Sequence, residues 1–334
     1  MTRLDLAGRP LTALAHLAPL GLTSILRDGP DRTATSWWDI ERGVAVVESV
    51  LDELDIGAAV RKHAERRSED SWLAAKIEGG TRRGMSLFSP RIKTAPNDDE
   101  WRTYVDERHR WLTAHEAELT SLDHRLLAAL GTPAWWRADR RDFNADEGAS
   151  RWEMKTRNKG QEFMADRLLP LTRVVAARES SKIVDGLVGR TRVDELGKDA
   201  AASRTVSGLT VPGPEDSALV YAALYGIASL PTIHRVAAIS SSAGMVPRRG
   251  VHPNHGFLPI FSRPVSPRRF RSVVASRTFD QLAASLVDRR PDDRPLSDFL
   301  REQGVHAVLV CDIRKTGTSS APERQVLDGR VHVV

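Results

Sequence analysis

The chain has 334 residues, 41% of them hydrophobic and 28% charged, with a formal net charge of +5. That balance supplies a core and excludes a largely disordered chain. Its one cysteine, Cys311, excludes an internal disulfide framework and a cysteine-built zinc site, and suits a reducing compartment.

The first residues, Met1-Thr2-Arg3-Leu4-Asp5-Leu6, lack the marks of a signal peptide. The apolar stretch that follows is broken by His16, Pro19 and Gly21, too short a run to span a bilayer. A soluble, cytoplasmic protein without a membrane partner is therefore expected. Leu11–Arg27 reads as a short buried helix through Leu14, Leu17 and Leu20, and Thr33–Trp38 as a strand. Ile40–Leu54 reads as a helix, with Val44, Val47, Leu51 and Leu54 at helical spacing, and Arg61–Met85 as a polar surface loop. Asn97 is placed to cap a helix running to Leu119, with Asp98, Asp99 and Glu100 favourably in its first turn. Ser121–Leu130 is the next helix, stopped by Gly131-Thr132-Pro133.

Gly160–Ala177 reads as helix with a kink at Pro170, Arg190–Gly213 as a polar connection, and Pro214 opens a helix to Leu230. Beyond Pro231 strands are expected at Ile233–Val246 and Phe257–Phe261, then helices at Pro267–Ser276, Thr278–Val287 and Leu296–Gln303. Val305–Ile313 is the clearest strand, and Gln325–Val334 reads as a last strand in a hairpin. Helices and strands mix without a βαβ rhythm. The fold class expected is α+β: a helix-rich region over 1–145 and an α+β region over 146–334 with a mixed sheet.

Charge is unevenly spread. From Ser217 through Phe279 there is no Asp or Glu, although 44 acids in 334 residues would put about eight in those 63 positions. The same window holds Arg235, Arg248, Arg249, Arg263, Arg268, Arg269, Arg271 and Arg277. Such a concentration is the electrostatic footprint expected of a nucleic-acid surface. Its densest part, Arg263 to Arg271, reads as a loop entering a helix capped by Ser266 with Pro267 at the first position. Free backbone N–H groups there would add to the arginines in holding a phosphate.

Two further segments suit nucleic acid. Trp135-Trp136 runs into Arg137, Arg140 and Arg141, a pairing of stacking rings with cations. From Ser150 to Lys159 the residues alternate, so that a strand would place Arg151, Lys155 and Arg157 on one face beside Lys159, with Trp152 and Met154 on the other. Trp37-Trp38 reads as core packing, with one ring buried and one exposed.

Other chemistry is thinner. Gly197-Lys198-Asp199 fails as a phosphate loop because an acid stands where a Ser or Thr must hold magnesium. His252-Pro253-Asn254-His255 brings two imidazoles close, but no cysteine or carboxylate is near in sequence to complete a metal set, so a polar turn is expected. Glu153-Met154-Lys155 matches the end of the PD-(D/E)xK nuclease pattern, with Asp142 or Asp146 upstream to share a Mg²⁺. No Pro-Asp turn precedes it and such triplets arise by chance, so a nuclease is the alternative to a binding protein. No cofactor, resident metal or catalytic residue is expected.

The segment Gly148-Ala149-Ser150-Arg151-Trp152-Glu153-Met154-Lys155-Thr156-Arg157-Asn158-Lys159-Gly160 resembles one in small CRISPR-associated proteins of type I-U (type I-G) loci. Similar too are Gly197-Lys198-Asp199, Ser203-Arg204-Thr205, Gly208-Leu209-Thr210, Pro212-Gly213-Pro214, the opening His16-Leu17-Ala18-Pro19-Leu20-Gly21-Leu22 with Trp37-Trp38-Asp39, and Ser320-Ala321-Pro322-Glu323-Arg324. The resemblance implies a large-subunit-like component of a type I antiviral interference (Cascade) complex, with guide RNA, target DNA and the other subunits as partners. It carries over no catalytic residues.

Overall fold

The computed structural model describes residues 1–90, 97–132, 137–139, 142–144, 148–154, 162–200, 207–235, 238–246, 252–288, 294–317 and 322–334. The fold is α+β, with helices dominating the first half and the larger sheet in the second.

The N-terminal part opens with a three-stranded antiparallel sheet. Strand β1 (Thr2–Leu6) and β2 (Thr35–Asp39) flank β3 (Val44–Ser49). The helix expected over Ile40–Leu54 is therefore corrected. Val44-Ala45-Val46-Val47 is a β-branched run that pairs on both edges, and Leu54, needed for an apolar helical stripe, is exposed. The loop expected over Arg61–Met85 is corrected too, because helix α2 spans Glu53–Ser68, capped by Asp52, which accepts from the Asp55 N–H. Its buried stripe is Ile56, Val60, His63, Ala64 and Arg67, and two of those residue types read as solvent-facing in a sequence.

Helix α1 (Ala13–Asp28) is buried over nearly its whole length and lies against α7 (Ser217–Gly226), every residue of which is buried. The two backbones approach closely through glycines. A Cβ on Gly21 would stand 1.7 Å from the Ala222 carbonyl oxygen, and one on Gly226 would stand 2.3 Å from that of Leu17. One apolar core runs through both halves of the chain. Around it stand α3 (Asp98–Ala114), capped by Asn97 as expected, and α4 (Ser121–Leu130), with a capping box between Thr120 and Asp123. A π-helical turn (Met164–Leu168) leads into α5 (Leu169–Ala177), with Pro170 in its first turn, and α6 (Ser180–Leu187) follows.

Short strands β4 (Arg137–Asp139) and β5 (Asp142–Asn144) follow α4, and the second half adds β6 (Thr232–Arg235), β7 (Ala238–Ser242) and β8 (Met245–Val246). They precede β9 (His255–Phe261), α8 (Pro267–Val274), α9 (Arg277–Asp288) and α10 (Arg294–Glu302). The apolar run read at Ala307 to Val310 lies in the centre of the larger sheet. There β10 (Val305–Gly317) pairs with β9 on one edge and with β12 (Arg330–Val333) and β11 (Pro322–Val326) on the other. A two-residue bridge between Ser36 and Val265 joins the small sheet to the turn before α8.

A buried polar network fixes how the helices meet. Arg67 of α2 donates to both carboxylate oxygens of Asp123 on α4, at 2.7 and 2.9 Å, with both side chains 3% exposed. The same guanidinium donates to Thr120 Oγ1 and to the His63 carbonyl, and lies 3.5 Å from Asp28 at the end of α1. Trp72 Nε1 donates to Asp123, and His63 Nδ1 shares a hydrogen with the Tyr221 hydroxyl of α7 at 2.8 Å. Burial pushes the Asp123 carboxyl up, but the charge and hydrogen bonds of Arg67 and Thr120 outweigh it and hold the group below the usual carboxylate range.

Asp123→Ala leaves Arg67 buried without its carboxylate and is expected to cost about 3–5 kcal/mol in urea denaturation. The joint Arg67→Met, Asp123→Leu replacement is expected to recover most of that, and an equal loss from both would contradict this account. The depressed carboxyl stabilises the fold above its unfolded pKa of about 3.9, and that stabilisation is lost as pH falls through the lower folded value. The wild-type midpoint should therefore fall below about pH 4 by more than that of the double variant.

Candidate nucleic-acid interface

The acid-free window divides in two. Residues 217–231 form α7 and a following 3-10 turn, all buried, and β9 is buried but for His255. A buried helix has no place for unpaired carboxylates. Much of the missing acid is therefore core composition, and among the described residues the basic surface is residues 262–278.

There the expectation of a capped basic helix holds. Ser266 Oγ accepts from the Arg269 N–H at 3.2 Å, and Pro267 stands in the first turn of α8. Phe270, Val273 and Val274 face the core, which turns Arg268 and Arg269 outward, with Arg263 exposed on the preceding turn. The bridge from Val265 to Ser36, with reciprocal 3.0 Å hydrogen bonds, holds that turn against β2. Arg269 donates to the carbonyl and the side-chain oxygen of Gln303, and Arg271, half-buried, donates to the Ala228 carbonyl at 3.2 Å. Among the described residues none of Arg263, Arg268, Arg269, Arg271 and Arg277 has a carboxylate as an ion-pair partner. By contrast Arg9, Arg42, Arg178 and Arg190 each hold one or two.

The fold adds a residue that sequence reasoning missed. Arg125, on the half-buried side of α4, has no side-chain hydrogen bond or ion pair among the described residues. Burial lowers its pKa, with Asp28 opposing and Arg27 reinforcing that effect. Burial likewise lowers that of Arg271, and the charge of Arg125 adds to it. Two guanidiniums that repel each other on partly desolvated ground gain from an anion between them. They are 146 residues apart, so only the packing of α4 and α8 on the turn at 227–229 brings them together.

Over its described residues, 150–154, the alternating segment does not form the expected strand, and its Arg151 is corrected from phosphate ligand to core residue. Arg151 is 2% exposed, with its guanidinium on the carbonyls of Ala149 (2.8 Å) and Ser240 (3.3 Å) and its N–H on Ser242 Oγ. Trp152, Glu153 and Met154 are buried beside it. Consecutive residues are all enclosed because the chain bends through the core here, where a strand would have turned alternate residues outward. Glu153 pairs with Arg167 inside the protein, and Arg324 donates to its carbonyl at 3.1 Å. The Glu153 side chain is fully buried against Arg167. Among the described residues no three His, Cys, Asp or Glu side chains are grouped to hold a metal. His255 Nδ1 lies 2.9 Å from Asp312, a carboxylate from β10 that no reading of the local sequence anticipates.

Lys155, Arg157, Lys159, Arg140, Arg141, Arg248, Arg249, Trp135 and Trp136 lie outside the described residues, as does the side chain of Arg137. Of the other tryptophan pair, Trp38 is buried and stacks on His16 at 4.2 Å, while Trp37 is half-exposed beneath Arg3. No helix among the described residues is long and apolar enough to cross a membrane. The sequence matches no model of a known protein family and no curated protein.

Arg151→Ala strands two buried carbonyls and empties the space of a guanidinium. Chemical denaturation should register a loss of about 2–4 kcal/mol. A variant of unchanged stability would return Arg151 to the list of surface ligands.

Proposed function

We propose that the chain is a nucleic-acid-binding subunit of a type I-U (type I-G) CRISPR antiviral interference complex. In that reading it works in the cytoplasm and contributes to guide RNA and target DNA binding and to assembly with the other subunits. The family part of this reading rests on the resemblance of the Gly148–Gly160 segment and its scattered companions. The binding part rests on one observation, the basic face at residues 262–278 whose arginines have no carboxylate partners.

Phosphate is the chemistry that face suits. Arg263, Arg268 and Arg269 project from a turn and helix start anchored on a strand, so their charge is presented by a rigid scaffold. Arg269 is oriented by a neutral glutamine, which leaves its full charge for a ligand. Arg271 and Arg125 form a second, recessed pair whose mutual repulsion a phosphodiester relieves. Contacts of this kind set position on the strand and carry no sequence information of their own.

Each phosphate contact contributes about 0.9 to the log–log salt slope for duplex DNA. Replacing Arg268, Arg269 and Arg271 with Ala should flatten the slope by about two to three units and weaken binding alike across sequences. Arg125→Ala should remove about one unit more. Filter binding or fluorescence anisotropy over a salt series reads both. An unchanged slope in the triple variant would move the nucleic acid off this surface.

A further inference from the structure

A cleft of about 450 Å³ opens between the end of α1 and one face of α2, on ground that the nucleic-acid reading does not use. Its wall is apolar where Ile25, Pro30, Leu51 and Ala59 line it. Along α2 the lining residues recur at helical spacing and change character, from Asp55 through Ala58 and Ala59 to Lys62, His63 and Arg66. We propose that this cleft binds a nucleoside monophosphate, with the phosphate held by Lys62 and Arg66, the base on the apolar wall, and the sugar hydroxyls toward Asp55.

Lys62 and Arg66 stand one helical turn apart, are exposed, and make no side-chain hydrogen bond or ion pair among the described residues. Residues at that spacing share a face, so one phosphate can meet both. The cation-poor end carries Asp55, whose carboxylate is also unpaired and is an acceptor suited to hydroxyl donors. His63, 93% buried, lines the cleft between the two cations and keeps Nε2 without a hydrogen-bond partner. Its Nδ1 is engaged by Tyr221 and its ring packs edge-on against Tyr225 at 4.6 Å. Burial and the charges of Arg67 and Arg66 hold this imidazole well below its usual range, so the ring is neutral. When the Tyr221 hydroxyl donates to Nδ1, the neutral ring carries its proton on Nε2, as a donor that no protein group accepts.

Size decides against a bare inorganic anion. The volume falls in the range of about 300–1,000 Å³ that small organic ligands fill, and an inorganic phosphate would leave the apolar wall wet. A base supplies the flat apolar face that this wall needs, and Arg66 adds a guanidinium that stacks on rings as well as holding phosphate.

Equilibrium dialysis of the full chain with labelled AMP tests the site. Saturable binding at one site, at millimolar concentration or below, is expected, with adenosine and inorganic phosphate each at least about tenfold weaker. Lys62→Ala with Arg66→Ala is expected to lose about tenfold or more while circular dichroism stays unchanged. Ala59→Phe, which fills the cleft without touching charge, should abolish binding independently. Displacement of AMP by a 5′-phosphorylated trinucleotide would identify the ligand as one unit of a strand, and failure to displace would identify a free mononucleotide. No saturable binding, AMP binding unaltered in both variants, or phosphate binding as tightly as AMP would overturn the proposal.

Discussion

Most of the helical half hangs on one buried charge. The Arg67 guanidinium reaches four groups from three elements: the His63 carbonyl of its own helix, Thr120 and Asp123 at the start of α4, and Asp28 at the end of α1. A planar fork of five donors meets that many partners at once, which a lysine cannot do. Asp28 in turn accepts from the Leu122 N–H, so the α1 terminus and the α4 N-terminus are stitched through the same carboxylates. Enclosing such a pair costs desolvation on both sides and repays little net stability. What it fixes is geometry, since slipping α2 by one residue would leave a bare charge in the core.

That geometry positions both candidate sites. The turn of α2 that carries Arg67 inward carries Lys62 and Arg66 outward, into the cleft beside α1. The stretch of α4 held by Asp123 presents Arg125 two residues later toward α8. Basic residues thus divide by partner. Those inside are matched to carboxylates or carbonyls, and those at residues 262–278 are left without carboxylates. Net charge alone, at +5, does not separate these populations.

Legibility in the sequence followed chemistry that is local. Helix caps were readable at Asn97 and Ser266, because a cap is a matter of three or four consecutive residues. The run in β10 was readable because a strand buried on both faces is continuously apolar. Helix α2 was not, since its core positions are filled by His63 and Arg67, whose burial depends on Tyr221 and Asp123 far along the chain. Arg151 failed for the same reason: its partners are carbonyls at 149 and 240, and no pattern in the sequence marks a carbonyl as waiting. The acid-free window was half right. Its arithmetic treated buried α7 as though it were surface, yet the exposed remainder kept its arginines.

The residues that carry the family resemblance and those that carry the binding surface do not overlap. Ser150, Arg151, Trp152, Glu153 and Met154 are all interior, and Arg324, from the other end of the chain, reaches the Glu153 carbonyl. Val326 and Gln325, just past Arg324, likewise hydrogen-bond to Gly208 and Thr210, so stretches distant in sequence meet in one core. Such residues are constrained by packing and hydrogen-bond satisfaction. Arg263, Arg268 and Arg269 stand outside every resembling segment and face solvent, where a substitution costs the fold little. Surface contacts can diverge while the core is kept. The two halves of the proposal are therefore independent: loss of the arginines on α8 would leave the residues that carry the resemblance in place, and another family would leave those arginines without carboxylate partners among the described residues.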